Sequence, residues 1–170
     1  MAISVNSEDH VQGRTDARIV LVEYGDFQCP YCKKAYYIVK KIQEELGADL
    51  KYVFRNFPLS DLHPDAYHAA VAAETAAAQN KFWDMHDILF ENQEYLDDTY
   101  LMQYAKIVGL DIDKFEKDFG NDRIVTKVEN DYDSGEENGV EGTPTFFVNG
   151  KLFEGDWRGT EFIEYLKSLI

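Results

Sequence analysis

Cysteine is scarce in this sequence. The chain of 170 residues contains two cysteines, Cys29 and Cys32, and both fall in one short segment. Two cysteines are too few for the disulfide framework of a small secreted scaffold. A structural zinc site would need two further ligands, and the histidines form no pair at a typical ligand spacing. The scarcity therefore favours a catalytic pair of thiols over a structural one.

Long apolar runs are also missing, and basic residues are outnumbered, with 17 lysines and arginines against 32 aspartates and glutamates. No stretch reaches the roughly 18 apolar residues of a membrane span, and the first ten residues lack the basic and apolar parts of a signal peptide. We therefore expect no stable membrane insertion and a cytoplasmic location, or an extracytoplasmic one if a signal peptide or anchor has been removed. The formal net charge is −15, so nucleic acid and anionic membranes should be repelled as partners.

The two cysteines belong to the motif Cys29-Pro30-Tyr31-Cys32, which follows an apolar run and opens an amphipathic pattern. Two intervening residues allow both sulfurs to meet at the start of one helix, as a dithiol or as a disulfide. A helix N-terminus carries roughly half a positive charge and unpaired N–H groups, which stabilise a thiolate. The motif predicts Cys29 as the attacking sulfur and Cys32 as the resolving sulfur.

The neighbouring patterns predict a strand, a helix and a second strand. The strand covers Ile19 to Tyr24, the helix runs from Pro30 to about Leu46, and alternation from Leu50 to Arg55 indicates the second strand. Such a unit has parallel strands and places the cysteines at the carboxyl end of a strand, where open α/β sheets bind ligands. Residues 1–17 show no clear period and are predicted to be an extended lead-in.

Glu23 is an acid inside a predicted buried strand, six residues before the first cysteine. A buried carboxylate must pair with another group or carry a raised pKa. The alternative is that Glu23 lies at the end of the strand and reaches solvent.

Beyond the second strand, residues 63–120 have helix-forming sequence without strand signals, and Asp97 and Asp111 look like helix caps. A further helix should begin near Asp122. Asn149-Gly150 between two β-like runs predicts a tight hairpin, and Thr160 is predicted to cap a last helix.

This order of elements, together with three segments, resembles the DsbA-like thiol-disulfide oxidoreductases, in which a helical domain interrupts a thioredoxin core. The segments are Val22–Cys32, Arg55–Leu59 with His63-Pro64, and Gly142–Thr145. The resemblance implies an α/β, thioredoxin-like fold with an inserted all-helical subdomain. Residues 1–62 and 121–170 would form the core, and residues 63–120 the insertion.

The resemblance also implies roles for individual residues. Cys29 would be the nucleophile, Cys32 the resolving thiol, and Glu23 the buried acid that moves protons to or from Cys32. Pro144 would be a cis-proline that faces the cysteines, leaving the backbone of Thr143 free to bind an extended client peptide. Pro30 and Tyr31 would complete the substrate-binding surface.

The implied activity is thiol-disulfide exchange with cysteine-containing proteins through a mixed disulfide, without a metal or an organic cofactor. It requires a redox partner linked to thioredoxin, glutathione or a quinone. The pair Pro30-Tyr31 differs from the Pro-His of strongly oxidising DsbA and also occurs in glutaredoxins, so the direction of electron flow stays open. Two alternatives remain: a glutathione-dependent reductase, and a non-catalytic metal-binding or interaction module.

Overall fold

A five-stranded sheet lies at the centre of the protein, which we describe from a computed structural model covering residues 2–170. The strands are β1 (His10–Gly13), β2 (Ile19–Gly25), β3 (Leu50–Asn56), β4 (Thr145–Val148) and β5 (Lys151–Leu152). Their order in the sheet is β1-β3-β2-β4-β5. Strands β2 and β3 are parallel, and the other pairs are antiparallel. This is a thioredoxin-like α/β fold, as the sequence predicted.

The two central strands are buried on both faces. All but one residue of each strand is buried, and the exceptions are Val20 in β2 and Lys51 in β3. Neighbouring elements cover both faces of central parallel strands. An alternating sequence pattern in such a strand therefore does not indicate which side chains are exposed.

Helix α1 (Pro30–Leu46) connects these strands, as predicted. Pro30 occupies its first turn, where the missing N–H costs no hydrogen bond. Gly47 ends the helix with a φ of 49°, a conformation that glycine adopts without a side-chain clash.

The segment between β3 and the last two strands is helical. It contains α2 (Ala66–Ala77), α3 (Phe82–Glu91), α4 (Asp98–Ile107), α5 (Ile112–Asp118) and α6 (Asp122–Glu137). Asp97 and Asp111 cap α4 and α5 with their side chains, which confirms both predicted caps. The chain closes with α7 (Thr160–Lys167), whose N-cap is Gly159, so the prediction of Thr160 as the cap was one residue late.

The predicted hairpin is confirmed at Asn149 and Gly150, both of which have a positive φ. The lead-in differs from the prediction, because residues 10–13 form β1 at the edge of the sheet. Gly13 explains how this edge pairs so closely: a Cβ there would lie 2.2 Å from the carbonyl oxygen of Leu50. Four residues of mixed polarity carry no strand signal of their own, so the pairing with β3 creates this strand.

Candidate active site

The two cysteines lie where β2 leads into α1. Cys29 is the N-cap residue of the helix, and Cys32 lies one turn further on. Their side chains are nearly covered, with 4% of Cys29 and 0% of Cys32 exposed, and both are free thiols. The Cys29 N–H donates to the Asp26 carbonyl at 3.1 Å, and the Cys29 carbonyl accepts from the Cys32 N–H at 3.0 Å. The loop before the helix therefore fixes the backbone of both cysteines.

The pKa of the Cys29 thiol is lowered to about 6. The largest cause is the hydrogen bond from the Cys32 thiol, while partial burial acts in the opposite direction, and the backbone N–H groups of Cys32 and Tyr31 contribute further stabilisation. These donors belong to the first turn of α1, as the helix-terminus argument predicts. Cys29 is consequently a thiolate at neutral pH.

The pKa of the Cys32 thiol is raised well above its ordinary value. Burial is the main cause, followed by the hydrogen bond to Cys29 and by the charge of Glu23. One contact opposes this shift: the Asp26 N–H points at the Cys32 sulfur, 3.4 Å away. The two thiols of the motif are thus held in opposite protonation states.

Glu23 is 1% exposed, so the alternative that it reaches solvent is wrong. The Tyr52 hydroxyl donates to its Oε2 atom at 2.5 Å, and Oε1 is buried without a partner. Burial is the main reason why the pKa of Glu23 is raised to about 8, and the Tyr52 contact only partly offsets it. The predicted buried position is confirmed, and the role in proton transfer stays a prediction.

The loop before β4 faces Cys29. The peptide bond between Thr143 and Pro144 is cis, and the Thr143 carbonyl oxygen lies 3.6 Å from the Cys29 sulfur. The Thr143 hydroxyl is buried without a partner. On the other side of Cys29, Pro30 is exposed at the helix start and Tyr31 is 58% exposed. Binding of substrate by these four residues stays a prediction.

Three further side chains surround the motif, and none of them was assigned a role from the sequence. Asp26 is buried and accepts hydrogen bonds from Gln28 N–H and Leu59 N–H, at 2.7 and 3.0 Å. His63 contacts the same carboxyl group at 2.7 Å. Gln93, between α3 and α4, donates to the carbonyl oxygens of Phe27 and Cys29 at 2.9 and 2.8 Å. His63 was quoted only as part of a family-like segment, and Gln93 has no local sequence signal.

Comparison with known proteins gives a consistent result. A family model described as Thioredoxin matches residues 5–168. The structure of oxidised BdbD from Bacillus subtilis superposes with a TM-score of 0.84 at 28% identity, covering 95% of this chain and 92% of that one. The thiol-disulfide exchange protein α-DsbA2 from Wolbachia pipientis has a TM-score of 0.84 at 22% identity, covering 97% and 89%. The latter likeness shows the fold alone.

Curated relatives carry a different name. The protein called Na(+)/H(+) antiporter NhaA 1 of Mycolicibacterium vanbaalenii is 41% identical over 162 residues, which are 94% of this chain and 26% of that protein. The chain thus spans about a quarter of the length of the curated relatives it matches. Within residues 2–170, we find no helix with the length and apolar character needed to cross a bilayer.

The family model matches almost the whole chain, and the fold agrees with it. At a helix start lies a Cys-x-x-Cys pair in which the pKa of Cys29 is lowered and that of Cys32 is raised. The chain belongs to the thioredoxin family, and it shares its fold with the solved structures of BdbD and α-DsbA2.

Proposed function

We propose that this protein exchanges disulfides with cysteine-containing proteins through a mixed disulfide at Cys29. The observation that carries the proposal is the division of acidity within the motif: the pKa of Cys29 is lowered to about 6, while that of Cys32 is raised. A thiolate is the attacking species in thiol-disulfide exchange. Only Cys29 is ionised at neutral pH, so it makes the first bond to a client.

In the reducing direction, the Cys29 thiolate attacks one sulfur of a client disulfide and the other client sulfur leaves as a thiolate. The Cys32 thiol then gives its proton to the ionised form of Glu23, which is the minor form at neutral pH because the pKa of this group is about 8, and attacks the Cys29 sulfur. The second client thiolate leaves, so the client gains two electrons and the Cys29/Cys32 pair loses two. In the oxidising direction each step runs backwards, and Glu23 returns its proton to Cys32.

Glu23 suits this exchange because its pKa of about 8 lies near neutrality. Its neighbours leave Oε1 without a hydrogen bond, so that oxygen is free to take or give a proton. The charge of Glu23 contributes to the raised pKa of Cys32, so the two groups are coupled electrostatically.

We propose that an extended client segment lies beside Cys29, against the backbone of Thr143, with the exposed ring of Tyr31 on the other side. Extended peptides bind to backbone edges by main-chain hydrogen bonds, which recognise shape more than sequence. The 3.6 Å separation of the Thr143 carbonyl oxygen from the Cys29 sulfur supports this binding mode, because a segment bound to the Thr143 backbone would be close to the attacking sulfur.

The pKa of Cys29 also bears on the direction of electron flow. A cysteine pair has a more oxidising potential when its attacking thiol is more acidic. Thioredoxin has a thiol pKa of about 7 and a potential of about −270 mV, and DsbA has a thiol pKa of about 3.5 and a potential of about −120 mV. We expect this pair to lie between those potentials, nearer to thioredoxin, and so to need a redox partner at that level. Equilibration with glutathione buffers measures the potential directly.

The test uses trapped intermediates. Cys32→Ser should accumulate a covalent adduct with insulin, visible by mass spectrometry and reversed by reductant, because Cys29 attacks and nothing resolves the product. Cys29→Ser should form no adduct and lose insulin reduction. Full activity in Cys29→Ser would overturn the proposal. Adducts with glutathione but never with insulin would support the glutathione-dependent alternative, and metal bound to the reduced wild-type protein would support the binding-module alternative.

A further inference from the structure

Asp26 links the two cysteines to a neighbouring loop. Its backbone contacts both: its carbonyl accepts from the Cys29 N–H, and its N–H points at the Cys32 sulfur. Its side chain is wholly buried. The orientation of this residue therefore fixes the position of a hydrogen-bond donor beside Cys32.

Two elements hold the Asp26 side chain. One carboxyl oxygen accepts from the Gln28 N–H, and the other accepts from the Leu59 N–H and lies 2.7 Å from Nδ1 of His63. The His63 N–H in turn donates to the Leu59 carbonyl at 2.9 Å. Residues 59–63 thus form a short loop that contacts the Asp26 side chain.

His63 contacts the Asp26 carboxyl group with its ring. Within residues 2–170, it is the one basic side chain at ion-pair distance from Asp26, and its own side chain is 19% exposed. The neighbouring Gln28 side chain is bonded to Asp65: it donates to the Asp65 carboxyl group and accepts from the Asp65 N–H. Without His63, one oxygen of a fully buried carboxyl group would keep only the Leu59 N–H, and leaving a buried charged group short of partners is costly.

We propose that His63 is a positioning residue for Cys32: by holding the Asp26 side chain, it keeps the Asp26 N–H aimed at the Cys32 sulfur during the resolving step. The inference rests on the proposed function, since it concerns the second step of the mixed-disulfide exchange. In that step the Cys32 thiol loses its proton, its sulfur bonds to the Cys29 sulfur, and the bond from Cys29 to the client breaks with the client thiolate as leaving group.

The Asp26 N–H stabilises the negative charge on Cys32 as its proton leaves, and it is the contact on this sulfur that opposes the effect of burial. The first step does not use this donor, because the Cys29 thiolate is stabilised by Cys32 and by backbone N–H groups of α1. A defect at His63 should therefore slow resolution and spare the formation of the mixed disulfide.

The two steps can be timed separately with insulin as the client. Formation is followed by mass spectrometry in the Cys32→Ser background, and resolution is followed in rapid-quench experiments with both cysteines present. His63→Phe keeps a ring of similar shape without a donor, and we expect it to slow resolution about tenfold, as for one hydrogen bond to a charged group. Formation should change less than about twofold, since Asp26 is not among the donors that stabilise the Cys29 thiolate.

Two variants complete the design. His63→Gln retains a donor that can reach Asp26, and it should recover most of the resolution rate. His68→Ala is the matched control, because His68 makes a similar contact with Asp98, at 2.6 Å, with both side chains largely exposed. We expect it to behave as the wild type in both steps.

The outcomes separate the inference from the proposed function. If the wild type forms no adduct at Cys29, the proposed function fails. If adducts form and His63→Phe resolves them at the wild-type rate, only the role of His63 is overturned. The same follows if His63→Phe and His63→Gln both slow formation as much as resolution, since His63 would then support the fold rather than Cys32.

Discussion

Glu23 is buried without a positive partner. Its hydrogen bond from Tyr52 does not compensate for burial, and its pKa rises to about 8. A protein keeps such a group at a cost in stability. The proposed exchange of a proton with Cys32 would explain why this cost is tolerated, because a hydrophobic residue at this position could not exchange a proton.

Replacing Glu23 by Gln should change stability in a pH-dependent way. The folded pKa of Glu23 lies above its unfolded value of 4.5, so the folded state holds more protons between pH 4.5 and about 8, and the wild type loses stability as pH rises through this range. Glu23→Gln removes that loss. We expect its free energy of unfolding, relative to wild type, to increase by a few kcal/mol between pH 4.5 and 8.

Urea unfolding at pH 5 and pH 8, with both proteins in the same redox state, measures this difference. The same variant should slow resolution of a mixed disulfide, because Cys32 loses its proton acceptor. A constant stability difference across the pH range would show that Glu23 is ionised in the folded protein.

For single residues, the sequence predicts the features that depend on neighbours along the chain. Cys29, Cys32 and Glu23 stand in one segment, and their burial follows from the apolar strand and the helix start. The contact of His63 with Asp26 joins residues 37 positions apart. This contact depends on how the loop after β3 packs against Asp26, which follows β2. The periodicity of the sequence gives no information about such a contact.

Among the helices, α6 packs against the sheet through a residue without a side chain. A Cβ on Gly135 would lie 2.7 Å from the ring of Phe57 and 3.1 Å from that of Tyr24. Phe57 cannot move aside easily, since it is buried and stacks on Tyr132 with ring centroids 4.4 Å apart. The close approach of helix and sheet thus requires glycine here.

Gly135→Ala sets two effects against each other. Alanine favours a helix by up to about 1 kcal/mol, whereas overpacking a rigid core costs about 1 to 3 kcal/mol. Because three rings meet at this point, we expect a net loss of about 1 kcal/mol or more in urea unfolding. Glu137→Ala, at an exposed position of the same helix, is the control and should be near neutral. Stabilisation by Gly135→Ala would mean that the helix can shift outward.

The elements that were predicted correctly carry their own start and stop signals. Helix α1 has Pro30 and Gly47, the hairpin has Asn149-Gly150, and α4 and α5 have aspartate caps. Strand β1 has none, and it exists because the edge of β3 offers unpaired backbone groups. Capping and turn residues thus determine where these elements begin and end, whereas β1 depends on pairing with β3.

At the scale of the whole molecule, the helical segment and the sheet meet at His86. Its ring contacts six aromatic rings: Phe27, Tyr36, Phe54, Phe82, Trp83 and Phe90. Its Nδ1 lies 2.8 Å from Asp87, and its Nε2 is buried without a partner. Burial lowers the pKa of His86, so the folded protein keeps it neutral.

This arrangement predicts sensitivity to mild acid. Below pH 6.5 the unfolded chain takes up a proton at His86 that the folded protein does not, so the contribution of His86 to stability falls as the pH falls. His86→Phe removes this contribution. We expect the free energy of unfolding of the variant, relative to wild type, to rise by about 1 kcal/mol when the pH is lowered from 7.5 to 5.5, measured in urea. Identical pH profiles would show that the aromatic cluster admits the charged ring.

Gln93 links the helical segment to the part of the molecule that carries the cysteines. One side-chain amide on the helical segment satisfies the carbonyl oxygens of Phe27 and Cys29, which flank the reactive thiol on the core. Detaching the helices would expose both carbonyls and the aromatic cluster at the same moment. The chain should therefore unfold in a single cooperative transition, and an intermediate with a folded core and released helices would not accumulate. Slow hydrogen exchange should accordingly extend through the amides of α3 and of the first turn of α1 with one shared opening free energy.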